Sequence, residues 1–269
     1  MKLLNKIEFY VKEYVKLKSL PFLFYRMLQA LNRRIPLPSQ ALQGYVRITK
    51  DDKAYIRTIL TFLKQYLPHM HEAHTMLADQ LPWFIIGKHL LEKHVQITEN
   101  TKILEAGSFA PLQTLFFRKK GASLICCDLH TDLWRIDETF YHFRCNLCYD
   151  DFGEETFDIV ICTEVLEHLP CNLYMVRNKL IRCCKNHGFL LVSFPLKGKL
   201  SAPYSHEFLQ ENDWNTEHDH LREFTESTAI QFLTHPELKL VKKQKVYTYG
   251  YGGEILVALY KKIKISCPR

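Results

Sequence analysis

The sequence predicts an α/β fold: a mostly parallel sheet with helices on both faces, an antiparallel last strand pair and an N-terminal helical cap. Three observations predict it. From Lys102 onward, short apolar runs alternate with amphipathic stretches at strand–helix spacing. The stretch from Phe157 to Pro195 reads as buried strand, polar turn, amphipathic helix and second buried strand, which is half of an open parallel sheet. Upstream of Lys102 the periodicity is helical, with little strand character.

Leu3, Ile7, Tyr10, Tyr14 and Leu17 recur at steps of three and four, with Lys2, Lys6, Lys12 and Lys16 between them. Pro21 interrupts this helix, and a second one through Phe24 and Leu28 stops near Pro36 and Pro38. Helical patterns follow at 51–66 and 83–94. These residues, 1–98, make up the expected cap, and 99–265 the expected α/β domain. Ile103-Leu104 starts the sheet and a turn follows at Gly107-Ser108. Pro111 suits the first turn of a helix, where its missing N–H costs nothing, and Gly121 suits its end. A strand from Ser123 to Cys127 ends at Asp128. A strand at Asp158–Cys162, a helix at 171–185 and a strand at Phe189–Phe194 come next. A helix at 225–235 leads to strands at 238–248 and 254–261. The turn-rich link 249–253 suits an antiparallel pair.

Composition bounds the function. The chain has 269 residues and is 47% hydrophobic, enough for one domain with an extension or two small domains. No apolar run approaches the ~20 residues that span a bilayer, and the charged N-terminus lacks a signal-peptide core, so a cytoplasmic location is expected. The nine cysteines show no framework spacing. Cys145-x-x-Cys148 has no matching second pair, so reduced packing cysteines are expected rather than a metal site. Residues 1–100 hold 15 Lys+Arg and 8 Asp+Glu; the remainder holds 21 of each, so the whole excess of +7 sits in the first hundred residues. Three readings explain it: a solvated helical face over the site, peripheral contact with an anionic membrane, or attraction of an acidic substrate. No nucleic-acid recognition motif accompanies the charge.

The residues that carry chemistry cluster at expected strand ends. In Leu104-Glu105-Ala106-Gly107-Ser108, a glycine straight after the first strand lets backbone approach a ligand. Asp128 lies 23 residues beyond Glu105, where a carboxylate can accept both ribose hydroxyls. Glu164, Glu167 and His168 fill the turn after the third apolar strand. His218 and His220 lie in the connection beyond the next strand and titrate in the range a general base needs. The cluster at His69, His71, Glu72 and His74 lacks the His-Glu-x-x-His spacing and reads as a solvated helix end.

Four blocks in order resemble class I S-adenosylmethionine-dependent methyltransferases, in particular the small-molecule branch that includes quinone-biosynthesis enzymes. The first loop is Glu105-Ala106-Gly107-Ser108-Phe109-Ala110-Pro111, where the family typically has acidic-x-Gly-x-Gly-x-Gly. Phe157-Asp158-Ile159-Val160 and Glu164-Val165-Leu166-Glu167-His168 match the family's Phe-Asp-x-Val and Glu-x-Leu-Glu-His. Lys185-Asn186-His187-Gly188 corresponds loosely to its Lys-Pro-Gly-Gly turn, and His220-Leu221-Arg222-Glu223-Phe224-Thr225 to its His-x-Arg-x-Phe-Thr segment. The resemblance spans roughly residues 100–262.

It implies a Rossmann-like sheet of seven strands, S-adenosyl-L-methionine as cofactor, and methyl transfer to a small-molecule acceptor, expected at oxygen. Glu105, Gly107 and Ser108 are implied at the methionine end, Asp128 with Leu129 at the ribose, Asn146 at the adenine amine, and Thr163 beside the adenosine or sulfonium. Glu164 is implied at the acceptor, with His220 or His218 as base. Phe109 and Pro111 depart from the glycine pattern. They favour a rival of another class, a methyltransferase-like binding or scaffold module without catalysis. A nicotinamide-dependent dehydrogenase would want Gly-x-Gly-x-x-Gly and leaves the 157–168 block unexplained.

Overall fold

The computed structural model describes residues 49–66, 71–108, 113–118, 120–129, 141–196, 221–248 and 253–264. The basic helices expected before residue 49, Phe109, Pro111, His218 and His220 lie outside the described residues. Two helices, α1 (Lys50–Tyr66) and α2 (His71–His94), precede the sheet. Then come β1 (Lys102–Ala106), α3 (Leu115–Arg118), β2 (Ser123–Asp128), β3 (Tyr141–Arg144) and β4 (Phe157–Thr163). The chain continues through α4 (Leu173–Cys183), β5 (Cys184–Leu196), α5 (Glu226–Leu233), β6 (Leu238–Thr248) and β7 (Gly253–Lys262).

The seven strands form one sheet in the order β3-β2-β1-β4-β5-β7-β6. Strands β1 to β5 pair in parallel, and β7 runs antiparallel to both β5 and β6. The order reverses between β1 and β4, which makes a crevice at the strands' C-terminal ends. β3 has no counterpart in the sequence reading. It is a four-residue edge strand with mostly exposed side chains, so it carries no apolar alternation to find.

The two sheet faces bury separate cores. Ile103, Ile159, Ile161, Leu191, Val257 and Leu259 face α1, α2 and α3. Leu104, Val160, Cys162, Val192, Phe194 and Ala258 face α4 and α5. Burial of each large apolar side chain contributes about 1.5–3 kcal/mol. On the first face the helices are also pinned by charge. Asp52, fully buried, accepts from Lys88 Nζ and His89 Nε2 of α2, both at 2.9 Å, and from Thr49 N at 2.7 Å. Burial alone would raise this carboxyl, but hydrogen bonds from His89, Thr49 and Lys88 outweigh it and hold it well below the usual range. The Lys88 ammonium also lies over the Phe116 ring of α3.

Of the helix expected after β1, the described residues show four helical positions, Leu115–Arg118; Pro111, Leu112 and Lys119 lie outside them. The cysteine expectation also needs correction: Cys148 and Cys171 are bonded, with Cα atoms 5.6 Å apart. The bond joins the loop after β3 to the turn before α4, a proximity that sequence spacing does not encode. The six other cysteines of the described residues are free and buried. Among the described residues no helix is long and apolar enough to cross a membrane.

Candidate active site

Gly107, Asp128 and Glu164 end β1, β2 and β4 at the same sheet edge. Gly107 is glycine for two reasons. Its φ is +75°, and a Cβ there would lie 2.5 Å from a Val165 methyl. The loops after β1 and β4 therefore press on each other. The amides of Gly107 and Ser108 both donate to Cys127 O, at 2.8 and 3.0 Å, which ties the first loop to β2.

Glu105 accepts from Thr114 N and Thr114 Oγ1, at 3.2 and 2.6 Å. Its carboxyl thus fastens the far end of the first loop. Burial pushes it up to about 7, against the opposing hydrogen bonds from Thr114 and Gln113. Asp128 and Leu129 are half-buried at the end of β2. Asn146 Oδ1 accepts the Cys148 amide at 3.0 Å, and the Asn146 amide donates to Asp150, so this residue shapes the turn after β3. Thr163 Oγ1 donates to Gln113 Oε1 at 2.9 Å. Gln113 is fully buried beneath Gly87 of α2.

Glu164 has φ +54°, unusual for a side chain of its size. Ser193 Oγ donates to its Oε1 at 2.6 Å, while Oε2 is buried without a partner. Burial raises this carboxyl to about 8. Glu167, on the single turn Leu166–His168, is fully buried, and neither carboxylate oxygen accepts a hydrogen bond. Burial and then Glu164 drive its carboxyl well above the ordinary range.

The described residues on either side of 197–220 meet near the turn that carries these carboxyls. Leu196 bridges to Phe224, and the amides of Leu221 and Arg222 donate to Glu167 O at 2.9 and 3.1 Å. Arg222 is buried and donates from Nη1 to Leu169 O and from Nη2 to Cys171 O. Phe224 packs on Phe194 and Phe232, and Thr225 caps α5 in a capping box. The Arg222-to-Thr225 block thus returns the chain to the site rim.

His142 was missed from sequence, because an isolated histidine in a polar edge strand carries no signal. Its Nε2 lies 3.3 Å from both Oγ and the carbonyl oxygen of Ser108, so Nε2–H braces the first loop. Burial lowers its pKa, which keeps the ring neutral. Among the described residues, no cluster of three His, Cys, Asp or Glu side chains could hold a metal. A groove of about 620 Å³ lined by α1 and α3, with Arg57 and Phe62, contains none of these site residues.

The sheet order and the strand-end crevice define a Rossmann-like fold. Residues 104–192 match the family model described as a methyltransferase domain. The match covers 89 of the 269 residues and makes this stretch similar to S-adenosylmethionine-dependent methyltransferases, whose cofactor is S-adenosylmethionine. No curated protein matches the sequence. Solved structures share the fold. The 1,6-didemethyltoxoflavin-N1-methyltransferase of Burkholderia thailandensis, with bound 1,6-didemethyltoxoflavin and S-adenosylhomocysteine, is 17% identical with a TM-score of 0.53, covering 82% of this chain and 93% of that one. An S-adenosylmethionine-dependent methyltransferase of Mesorhizobium loti is 12% identical with a TM-score of 0.51, covering 68% and 98%. The 4+2 cyclase SpnF is 10% identical with a TM-score of 0.54, covering 67% and 80%. The cofactor fits the chain's donor set. The glycine turn after β1 lies beside the half-buried Asp128 at the neighbouring strand end, the position at which open α/β sheets bind such ligands.

Proposed function

We propose that the protein transfers a methyl group from S-adenosylmethionine to the oxygen of a small-molecule acceptor. The observation that carries this reading is the convergence of Gly107, Asp128 and Glu164 at the reversal of strand order. Gly107 and Ser108 flank the methionine end, with Glu105 holding the loop through Thr114. Asp128 and Leu129 receive the ribose, Asn146 lies at the adenine end, and Thr163 sits below the sulfonium. Bound S-adenosylmethionine supplies a methyl group already activated by its sulfonium. The chain's task is then to align an acceptor and take its proton. Glu164 faces the acceptor with Oε2, its other oxygen being fixed by Ser193. His220, or His218 beside it, receives the hydroxyl proton. Both are on the connection that precedes Leu221.

A small-molecule acceptor is supported by the Burkholderia thailandensis enzyme, whose structure holds one. The cyclase with this fold favours a second reading, in which the domain binds its ligands without methyl transfer. To separate them, full-length protein would be incubated with methyl-labelled S-adenosylmethionine and a panel of hydroxylated small molecules. Label should enter a small molecule, and His220→Ala should abolish transfer while cofactor binding persists. Cofactor binding with no label transferred to any panel member would favour the second reading.

A further inference from the structure

We propose that Cys127, Cys145, Cys148 and Cys171 form an internal thiol–disulfide exchange site, in which Cys145 takes Cys148 from Cys171 and reshapes the turn that carries Asn146. The exchange stands on the cysteines alone, and its effect on the cofactor rests on the methyl-transfer reading above. All four residues are buried in the core under α4 and α5. Cys148 is bonded to Cys171, and Cys145 precedes Cys148 by three residues in the same turn. Cys-x-x-Cys is the spacing at which two cysteines of one turn pair with each other. The sequence offers this motif no second pair, but the fold brings Cys127 and Cys171 to it.

The surroundings single out Cys145 as the attacking sulfur. Cys127 donates its S–H to the Cys145 sulfur. That bond, followed by burial, pushes the Cys127 thiol well up, so Cys127 keeps its proton. The Lys179 ammonium of α4 acts electrostatically on Cys145, and on Asp151 and Asp150 beside it. It donates to Leu147 O and Cys148 O at 3.3 and 3.0 Å, so it stands over the turn. A donor and a cation beside one sulfur favour it as a nucleophile. In the exchange, Cys145 Sγ forms a bond to Cys148 Sγ, and the Cys148–Cys171 bond breaks. Its electron pair leaves on Cys171 Sγ, which takes up the proton that Cys145 gave up. No oxidant or reductant is consumed. Burial keeps an external thiol from these sulfurs, and exchange among themselves needs none.

The exchange acts on the cofactor site through two contacts. Cys145 N donates to Asp128 O at 2.9 Å, and Cys148 N donates to Asn146 Oδ1 at 3.0 Å. Asp128 and Asn146 are the residues assigned above to the ribose and the adenine end. With Cys148 tied to Cys171, the turn is held to the segment before α4, whose Cys171 O accepts from Arg222 Nη2 at 2.9 Å. With Cys148 tied to Cys145, that tether is gone and Asn146 lies inside a ring closed within one turn. The Cys148–Cys171 form is therefore the one that holds the cofactor, and bound cofactor favours it in return.

The test uses full-length protein without reductant, with and without saturating S-adenosylhomocysteine. Samples are quenched in acid, free thiols are alkylated, and disulfide-linked peptides are identified by mass. The natural protein should show a Cys145–Cys148 link beside the Cys148–Cys171 link, and S-adenosylhomocysteine should lower its share about threefold. Cys171→Ser should pair Cys145 with Cys148 and bind S-adenosylhomocysteine about tenfold more weakly. Should Cys171→Ser not fold, Cys145→Ser gives the reading. It should keep the Cys148–Cys171 bond, and dithiothreitol should open that bond about tenfold more slowly than in the natural protein. No Cys145–Cys148 link in the natural protein or in Cys171→Ser, equal affinity in those two, or equally fast opening in Cys145→Ser would overturn the proposal. A Cys145–Cys148 link in a natural protein that fails to bind S-adenosylhomocysteine would remove the cofactor reading and leave the exchange standing.

Discussion

Gly107 concentrates more constraint than any neighbour, since its positive φ and the Val165 methyls both exclude a side chain. Gly107→Ala should separate the loops after β1 and β4. Cofactor affinity should fall at least tenfold, about 1.4 kcal/mol, as read by calorimetry. His142 makes a pH prediction. Its pKa is lowered in the fold, so the neutral ring contributes stability that is complete above about 6.5, the ordinary value. That contribution is lost as pH falls through the folded value. His142→Gln should therefore flatten the acid limb of the stability profile. Gly107 and the Glu164–Glu167 pair were readable because each sits at a strand end with a type that turns or chemistry demand. Glu105 was readable as important, but its contact with Thr114 was not, because the intervening loop hides which way a buried carboxyl turns.

The helices α1 and α2 are joined by a buried ion cluster as well as by apolar packing. Asp52→Ala would strand Lys88, which is buried, with Glu92 as its remaining carboxylate. With Glu92 still pairing Lys88, the expected loss is about 1–3 kcal/mol of stability, visible as a lowered thermal midpoint. Gly87→Ala would drive a methyl into Gln113 and against Leu191 Cδ2, 3.0 Å away. A loss of about 1–3 kcal/mol is expected. The displaced Gln113 would also release Thr163, weakening cofactor binding from a helix outside the sheet. Strands β1, β2, β4 and β5 were legible as apolar runs, and the last strands as an antiparallel pair. Strand β3 was not, because an exposed edge strand buries no face. The helix expected after β1 is seen only in part: among the described residues Leu115–Arg118 is helical, while Pro111 and Leu112 lie outside them. The Cys148–Cys171 bond was equally hidden, since it depends on α4 lying beside the loop after β3.

Across the whole molecule, ionisable groups are distributed unequally between the two cores. Glu105 lies on the face covered by α1 to α3, while Glu164 and Glu167 close the site at the strand ends. Glu105 holds its proton up to about 7 in the fold, against an ordinary value of 4.5. Its contribution is complete below 4.5 and is lost as pH rises through 7, a swing of about 3 kcal/mol. Glu105→Gln should remove that swing, so the stability difference between variant and natural protein should change over pH 4.5 to 7 in chemical denaturation. The sequence reading anticipated the α/β class, the parallel sheet and the strand-end crevice because hydrophobic period and strand–helix spacing encode them. The acceptor stayed out of reach because no motif in the helical region or the 196–219 loop names it. The most direct test is calorimetric titration of full-length protein and its Asp128→Ala variant with S-adenosylhomocysteine. The site described above predicts micromolar binding to the natural protein and loss of that binding in a variant that remains folded. No binding to the natural protein, or equal binding to both, would contradict it.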